Sequence, residues 1–91
     1  MYVTKIRMQN GCNYSNNLLE IDSLYIEDDS ELGFYKKEVI YNFLKENPGT
    51  IKVKRYPYPD VIPAESIKGE KYVRSSPNSY LYDNLLDLPR V

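Results

Sequence analysis

Lys36-Lys37-Glu38-Val39-Ile40-Tyr41-Asn42-Phe43-Leu44-Lys45-Glu46-Asn47, followed at once by Pro48-Gly49, is the stretch from which the fold is read. Val39, Ile40, Phe43 and Leu44 recur at the spacing that lines one face of a helix, with Lys37, Glu38, Asn42, Lys45 and Glu46 turned elsewhere. Asn47-Pro48-Gly49 is the stop, because glycine suits a left-handed terminus and proline cannot continue the helix. One amphipathic helix has an apolar stripe that must be covered, and the flanking segments read as strands.

Directly after the helix, residues 50–56 place Ile51, Val53 and Arg55 on one side and Lys52 and Lys54 on the other. At the other end, Tyr2 to Met8 alternates imperfectly, with Tyr2, Thr4, Ile6 and Met8 on one face and Val3, Lys5 and Arg7 on the other. Asn10-Gly11-Cys12-Asn13 reads as a hairpin turn, since Asn and Gly tolerate positive φ. Residues 18–26 form a second strand whose apolar set begins as Leu19, Ile21 and Tyr25, yet Leu24 and Ile26 are apolar too. Either both faces are covered or a bulge shifts the register. An acidic turn at 27–31 leads through Gly33 to Phe34-Tyr35, a short third strand. Tyr56-Pro57-Tyr58-Pro59 and Pro63 predict an extended surface loop, since proline interrupts ladder pairing. Residues 70–74 make a last strand. The tail at 80–88, with Leu81, Leu85, Leu86 and Leu88, is expected to dock as a short helical turn. The expected fold is α+β: an antiparallel sheet of four or five strands, one helix packed on one face and a short docked C-terminal segment, in a single domain over residues 1–91.

Composition narrows the function. A chain of 91 residues buries about 60% of its unfolded surface, so its core is thin and self-association is an expected source of further burial. Twelve Lys and Arg against thirteen Asp and Glu argue against a polyanion binder, so nucleic acid is not an expected partner. The single cysteine, Cys12, has no second thiol to pair with, and with no histidine neither a zinc site nor a His-based triad can be built. No run approaches the roughly 18 apolar residues of a membrane span. The first residues read as a strand and not as a signal peptide, so a cytoplasmic location is expected. The four glycines are scattered and form no phosphate loop. No catalytic machinery is recognisable, and neither enzymatic activity nor a cofactor is expected. Ten tyrosines beside two phenylalanines and no tryptophan suit either the margin of a thin core or a part-wet interface.

Four places have two readings. The acidic run is a solvated turn or a cation site, though it lacks the alternating carboxylates of a calcium loop. Lys52, Lys54 and Tyr56 on one strand face are either a small stacking platform or lysines that protect an edge. Arg74 beside Tyr72, if turned inward, needs an anion: Asp83 as an internal partner, or a ligand's phosphate or carboxylate. Arg55 shares the parity of Ile51 and Val53 and is open to the same two readings.

Thr4-Lys5-Ile6-Arg7, the helix and strand from 37 to 53, Gly69-Glu70-Lys71-Tyr72-Val73-Arg74-Ser75-Ser76-Pro77-Asn78 and the close Asp83-Asn84-Leu85-Leu86-Asp87-Leu88-Pro89-Arg90-Val91 occur in an order that resembles the bacterial and phage family catalogued as domain of unknown function 3892. Members read threonine-x-valine-arginine early, then tyrosine-leucine-arginine-serine with an asparagine soon after, then aspartate-asparagine-leucine and a final leucine-proline-x-phenylalanine. Here the loop at 56–68 is longer, and Val91 stands where the terminal aromatic would be. The resemblance implies a bacterial or phage protein and no activity. In size the chain is similar to phage-encoded sponges that trap nucleotide signals of antiviral defence, such as the anti-Thoeris sponges, a step of analogy. The expected function is therefore a non-enzymatic, homo-oligomeric binding protein for a nucleotide-like anion, with Arg7, Arg55, Arg74 and Arg90 clamping phosphates, Tyr72 stacking on a base and Asn84 reading its edge. The alternative is a protein–protein interaction or structural module that uses the Tyr/Pro loop at 56–63.

Overall fold

The structure is a computed structural model and describes residues 1–77 and 83–91. The elements are β1 (Tyr2–Met8), β2 (Ile21–Glu27), β3 (Leu32–Lys36), α1 (Lys37–Glu46), β4 (Lys52–Val53), β5 (Val61–Glu65) and β6 (Lys71–Ser75), with 3-10 turns at Leu18–Glu20 and Asn84–Asp87. A four-stranded sheet in the order β3-β2-β1-β4 is joined by the two-stranded sheet β5-β6. The α+β class, the single helix against a sheet and the docked C-terminal turn are as the sequence predicts.

The large sheet is mixed, not wholly antiparallel. β2 is antiparallel to both β1 and β3, so β3 and β1 run the same way. α1 carries the chain from β3 across to the far edge, and strands joined by such a crossover run parallel. β4 accordingly pairs parallel with β1, Tyr2 with Lys52 and Val3 with Val53. β4 is two residues long, where the sequence suggested a strand over 50–56.

Two register shifts decide which side chains face inward. Val3 pairs with Ile26 but the next pair is Lys5 with Tyr25, so Thr4 is an extra residue in β1. Val3 therefore joins Ile6 and Met8 on the buried face, and the expected grouping of Tyr2 and Thr4 with Ile6 is corrected. The second shift lies between Arg7–Ser23 and Met8–Ile21, with Asp22 as the extra residue in β2. It brings Ile21 onto the same face as Leu24 and Ile26, which settles the irregular pattern of that strand in favour of a bulge.

α1 buries Ile40, Tyr41 and Leu44 between this inner face and the β5–β6 hairpin, with the Tyr41 hydroxyl donating to Glu65 of β5 at 3.0 Å, while Val39 is 52% exposed and Phe43 is half-buried. The buried stripe is thus rotated from the predicted one. Lys37, 2% exposed, belongs to that stripe, and its ammonium donates to the Leu19 carbonyl and to Glu70 at 2.9 Å. With both partners present its stem can lie in the core.

Pro63 lies inside β5, opposite Val73, where a loop was expected. The N–H of Val61 points away from β6 to the Ile51 carbonyl at 2.8 Å. Pro63, two residues on, has its nitrogen on that same outer side, so the β5–β6 ladder loses no donor. At the C-terminus, the Ile6 N–H donates to the Pro89 carbonyl at 2.9 Å and the Val91 N–H to the Ile6 carbonyl at 3.0 Å. The chain end thereby lines the part of β1 that β4 does not reach. The predicted turn over 80–88 is present as Asn84–Asp87; Tyr80, Leu81 and Tyr82 lie outside the described residues.

Candidate functional site

With the apolar side chains of β1 and β2 turned into the core, the alternating residues populate the opposite face of the sheet. No helix is stacked on that face among the described residues. Cross-strand pairing arranges it in ranks. Phe34, Tyr25 and Lys5 are register partners across β3, β2 and β1. Lys36, Ser23 and Arg7 form the next rank, and Leu32, Glu27, Tyr2 and Lys52 the rank on the other side.

Three cations of this face lie on rings. The Lys5 ammonium is 4.5 Å from the Tyr25 centroid, and the Tyr25 and Phe34 rings meet edge to face at 5.0 Å. The Arg7 guanidinium sits 4.0 Å from the Phe34 centroid. It reaches across β2 to do so, and the residue it passes is Ser23, small enough to let it. Lys54, just past β4, holds its ammonium 4.2 Å from the Tyr2 ring. Such contacts contribute about 0.5–1 kcal/mol each at exposed sites. Two further cations are paired with carboxylates: Lys36 donates to Asp22 at 2.8 and 3.0 Å, and Lys52 to Asp60 at 2.7 Å. The hydrogen bonds from Lys36 hold the Asp22 carboxyl below the usual carboxylate range. Lys5, Arg7 and Lys54 have no carboxylate partner among the described residues, so their charge is available to an anion. A cleft of about 410 Å³ opens at one end of the face, lined by Tyr2, Thr4, Glu27, Leu32 and Lys54 among others. The Thr4 hydroxyl is buried at the bulge without a hydrogen-bond partner.

Of the six site residues proposed from sequence, Arg7 alone lies on this face. Arg90 is occupied by the fold: its guanidinium donates to the carbonyls of Asn13, Ser15 and Leu86 at 2.7, 2.8 and 3.0 Å. Asn84 is buried and donates to the Tyr56 carbonyl at 3.1 Å. Arg55 is exposed beyond β4, 3.8 Å from Asp87, so these two are brought together where the Tyr/Pro loop meets the C-terminal turn. Tyr72 and Arg74 share the outward face of β6, since Val73 and Ser75 are the buried residues. Tyr72 lines a cleft of about 440 Å³ with Asp83 and Leu86. The internal pair of Arg74 with Asp83 is not formed. Asp83 instead accepts from the backbone N–H groups of Ser75 at 3.0 Å and Leu85 at 2.9 Å, capping the 3-10 turn and tying it to β6. Arg74 is exposed and needs no buried partner.

The Lys52-Lys54-Tyr56 platform does not form either, because β4 ends at Val53. Tyr56 turns into the loop and stacks edge to face on Tyr58 at 6.2 Å. Both rings are exposed. Tyr58 holds φ at 59°, an uncommon backbone state for an aromatic residue. Cys12 donates its thiol to Glu20, which pushes the thiol pKa up and reduces the nucleophilic thiolate fraction. Glu20 in turn is pulled below its ordinary value, first by Ser15 and then by Cys12. Among the described residues no cluster of His, Cys, Asp and Glu could hold a metal ion, and no helix is long and apolar enough to cross a membrane.

No curated protein and no solved structure matches the chain. The family model described as "Protein of unknown function (DUF3892)" matches residues 2–89, nearly the whole length and in line with the resemblance read from the motifs, and the chain belongs to that family.

Proposed function

We propose that the protein binds a nucleotide-like anionic ligand on the uncovered face of its four-stranded sheet, without turning it over. The observation that carries this reading is the set of three cation–ring pairs, Lys5–Tyr25, Arg7–Phe34 and Lys54–Tyr2, within 4.0–4.5 Å on one strand-built surface. Rings supply stacking faces to a base, and cations supply partners to phosphate oxygens. An open sheet face lacks an enclosed, water-excluding site, which favours holding over chemistry. A sponge that sequesters a nucleotide signal of antiviral defence is the specific form of this reading. Of the residues first chosen for it, Arg7 remains in the site, while Arg90 and Asn84 serve the fold.

The test is titration calorimetry with adenosine monophosphate, adenosine diphosphate ribose and a cyclic dinucleotide, with a short oligothymidine as a polymeric comparison. Saturable binding of a mononucleotide or dinucleotide that weakens at least tenfold in a Lys5→Ala/Arg7→Ala double variant supports the reading. Binding of oligothymidine alone would make the face a nucleic-acid surface instead. Binding that the double variant leaves intact removes the site from this face.

The second reading, a protein–protein contact through the Tyr/Pro loop at 56–63, is favoured by one observation. Tyr56 and Tyr58 are both exposed, stacked on each other and held with Tyr58 at positive φ. Exposed aromatics in a constrained loop are the residues that anchor interfaces.

A further inference from the structure

The four-stranded sheet has one closed edge and one open edge. Along the β1–β4 side, Val53 donates to Pro59 at 2.9 Å, Lys52 bridges to Asp60, and the chain end pairs with Ile6. On the other side β3 pairs, among the described residues, only with β2, and no described backbone group hydrogen-bonds to its outer edge. Such an edge is a template for another strand. Natural edges of this kind are usually blunted by proline, a bulge or a charge in mid-strand. β3 reads Leu32-Gly33-Phe34-Tyr35-Lys36, and its middle three residues have none of these. Beside the edge, an apolar cleft of about 230 Å³ runs between β3 and α1, lined by Ile26, Tyr35, Val39, Ile40, Phe43 and Ile51 among others. Val39 is half exposed there, and Leu32, on the other face of the strand, is 66% exposed.

We propose that this edge is the docking surface for a second copy of the same chain, paired antiparallel, β3 against β3, about a twofold axis at Phe34. The strand is complementary to itself in that arrangement. Its ends have opposite charge, the acidic turn with Asp28, Asp29 and Glu31 before the strand and Lys36-Lys37 after it, and antiparallel pairing sets the acidic end of each copy against the basic end of the other. Phe34 meets Phe34 of the second copy, and Gly33 meets Tyr35 of the second copy. The space where a Cβ of Gly33 would point is empty within 4 Å, which leaves room for that ring. Tyr35 lies on the helix side and lines its own cleft, with its hydroxyl donating to Glu31 at 3.3 Å, so the two tyrosines would stand side by side between the paired clefts. Lys36 of one copy, its ammonium held by Asp22, would stand opposite the exposed Leu32 of the other. Two four-stranded sheets become one of eight strands. Their cation–ring faces lie on the same side, because an axis perpendicular to the sheet keeps faces together. This is independent of the ligand reading, since it concerns the protein without ligand.

Sedimentation velocity from low micromolar to near-millimolar concentration reads the mass directly. The expected result is a dimer whose dissociation constant rises by roughly tenfold or more in Tyr35→Lys, while Lys5→Ala, away from the edge, leaves it unchanged. Because Tyr35→Lys could also disturb the monomer, a second measurement uses the twofold axis. A Cys12→Ser/Phe34→Cys variant should form a disulfide-linked dimer on mild oxidation. Cys12→Ser/Leu32→Cys alone should not, yet it should cross-link when mixed with Cys12→Ser/Lys36→Cys. A monomer throughout the range overturns the proposal. So does a dimer that forms equally well in Tyr35→Lys while Phe34→Cys fails to cross-link.

Discussion

The two faces of the four-stranded sheet handle a similar problem in opposite ways. On the inner face a cation, Lys37, is buried among apolar side chains and is given two oxygen partners, the Leu19 carbonyl and Glu70. On the outer face Lys5, Arg7 and Lys54 are given aromatic rings and no carboxylate. A buried charge must be compensated by the fold itself. A charge at the surface is already solvated, so placing it over a ring costs little and leaves it able to meet an anion. The inner arrangement holds α1, the Leu18–Glu20 turn and the β5–β6 hairpin together. The outer one adds little to stability, and it is the part of the molecule with chemistry to spare.

The comparison is broken most forcefully from the inside. Leu44 is 1% exposed, and Leu44→Ala should lower unfolding stability by about 3 kcal/mol through lost burial and a residual cavity. Val39→Ala, one stripe away on the same helix, should stay within about 0.5 kcal/mol of the parent, with Phe43→Ala between the two. Urea unfolding of the three variants checks the order. Equal losses at Val39 and Leu44 would mean that α1 is packed in a different rotation.

Next in size is the buried cation. Lys37→Ala removes the donor that serves the Leu19 carbonyl and Glu70 and should cost about 1–3 kcal/mol, the range for stranding a buried polar partner. Lys37→Met, which restores the stem without the charge, should recover part of the loss. If Lys37→Ala proves as mild as Lys5→Ala, the two faces do not differ in the way described.

The helix, the strands around it and the docked C-terminal turn were legible because they rest on periodicity and on Pro and Gly punctuation. The phase of those elements was not. A single extra residue at Thr4 and another at Asp22 reverse which side chains face the core, and a bulge leaves no composition signature of its own. α1 was misphased because a lysine counts as polar in any pattern, although Lys37 is buried through partners contributed by distant segments. β5 was missed because proline's penalty depends on which side of the strand its nitrogen faces. The candidate site suffered most from the phase error. Lys5, Tyr25 and Phe34 become neighbours only when β1, β2 and β3 are placed in register. Arg90 and Asn84 resemble ligand contacts in sequence, yet Arg90 donates to three main-chain carbonyls and Asn84 to that of Tyr56, which no side-chain pattern reveals. The alternation of Lys5 and Arg7 with apolar residues was the one available signal.

A smaller effect sharpens the outer half of the comparison. Arg7→Ala should lower stability by only about 0.5–1 kcal/mol, the size of an exposed cation–ring contact, and Arg74→Ala, exposed on β6, by less than about 0.5 kcal/mol. Thermal unfolding at fixed ionic strength separates them. A loss at Arg7 comparable with that at Leu44 would make the outer face a structural element and weaken its claim as a binding surface.

The smallest effect is a pH dependence localised to one corner of the outer face. The Lys36 ammonium holds the Asp22 carboxyl below its ordinary value, while an unfolded aspartate titrates near about 3.9. Between those two values the unfolded state binds the proton that the folded state refuses, so stability falls as pH falls. The contribution is therefore fully present above the unfolded value and is lost as pH drops through the folded one. Lys36 is 64% exposed and Asp22 29%, so solvent and salt screen the pair, and it is expected to contribute about 0.2–1 kcal/mol. Glu20, also depressed, acts in the same direction, so the parent's acid sensitivity alone does not isolate Asp22. The difference between parent and Asp22→Asn does. The parent should melt slightly higher at pH 6, and the gap should close as the pH approaches 2, with added salt shrinking it at pH 6. A gap that stays constant across that range would show that the Lys36–Asp22 ion pair adds nothing by its charge.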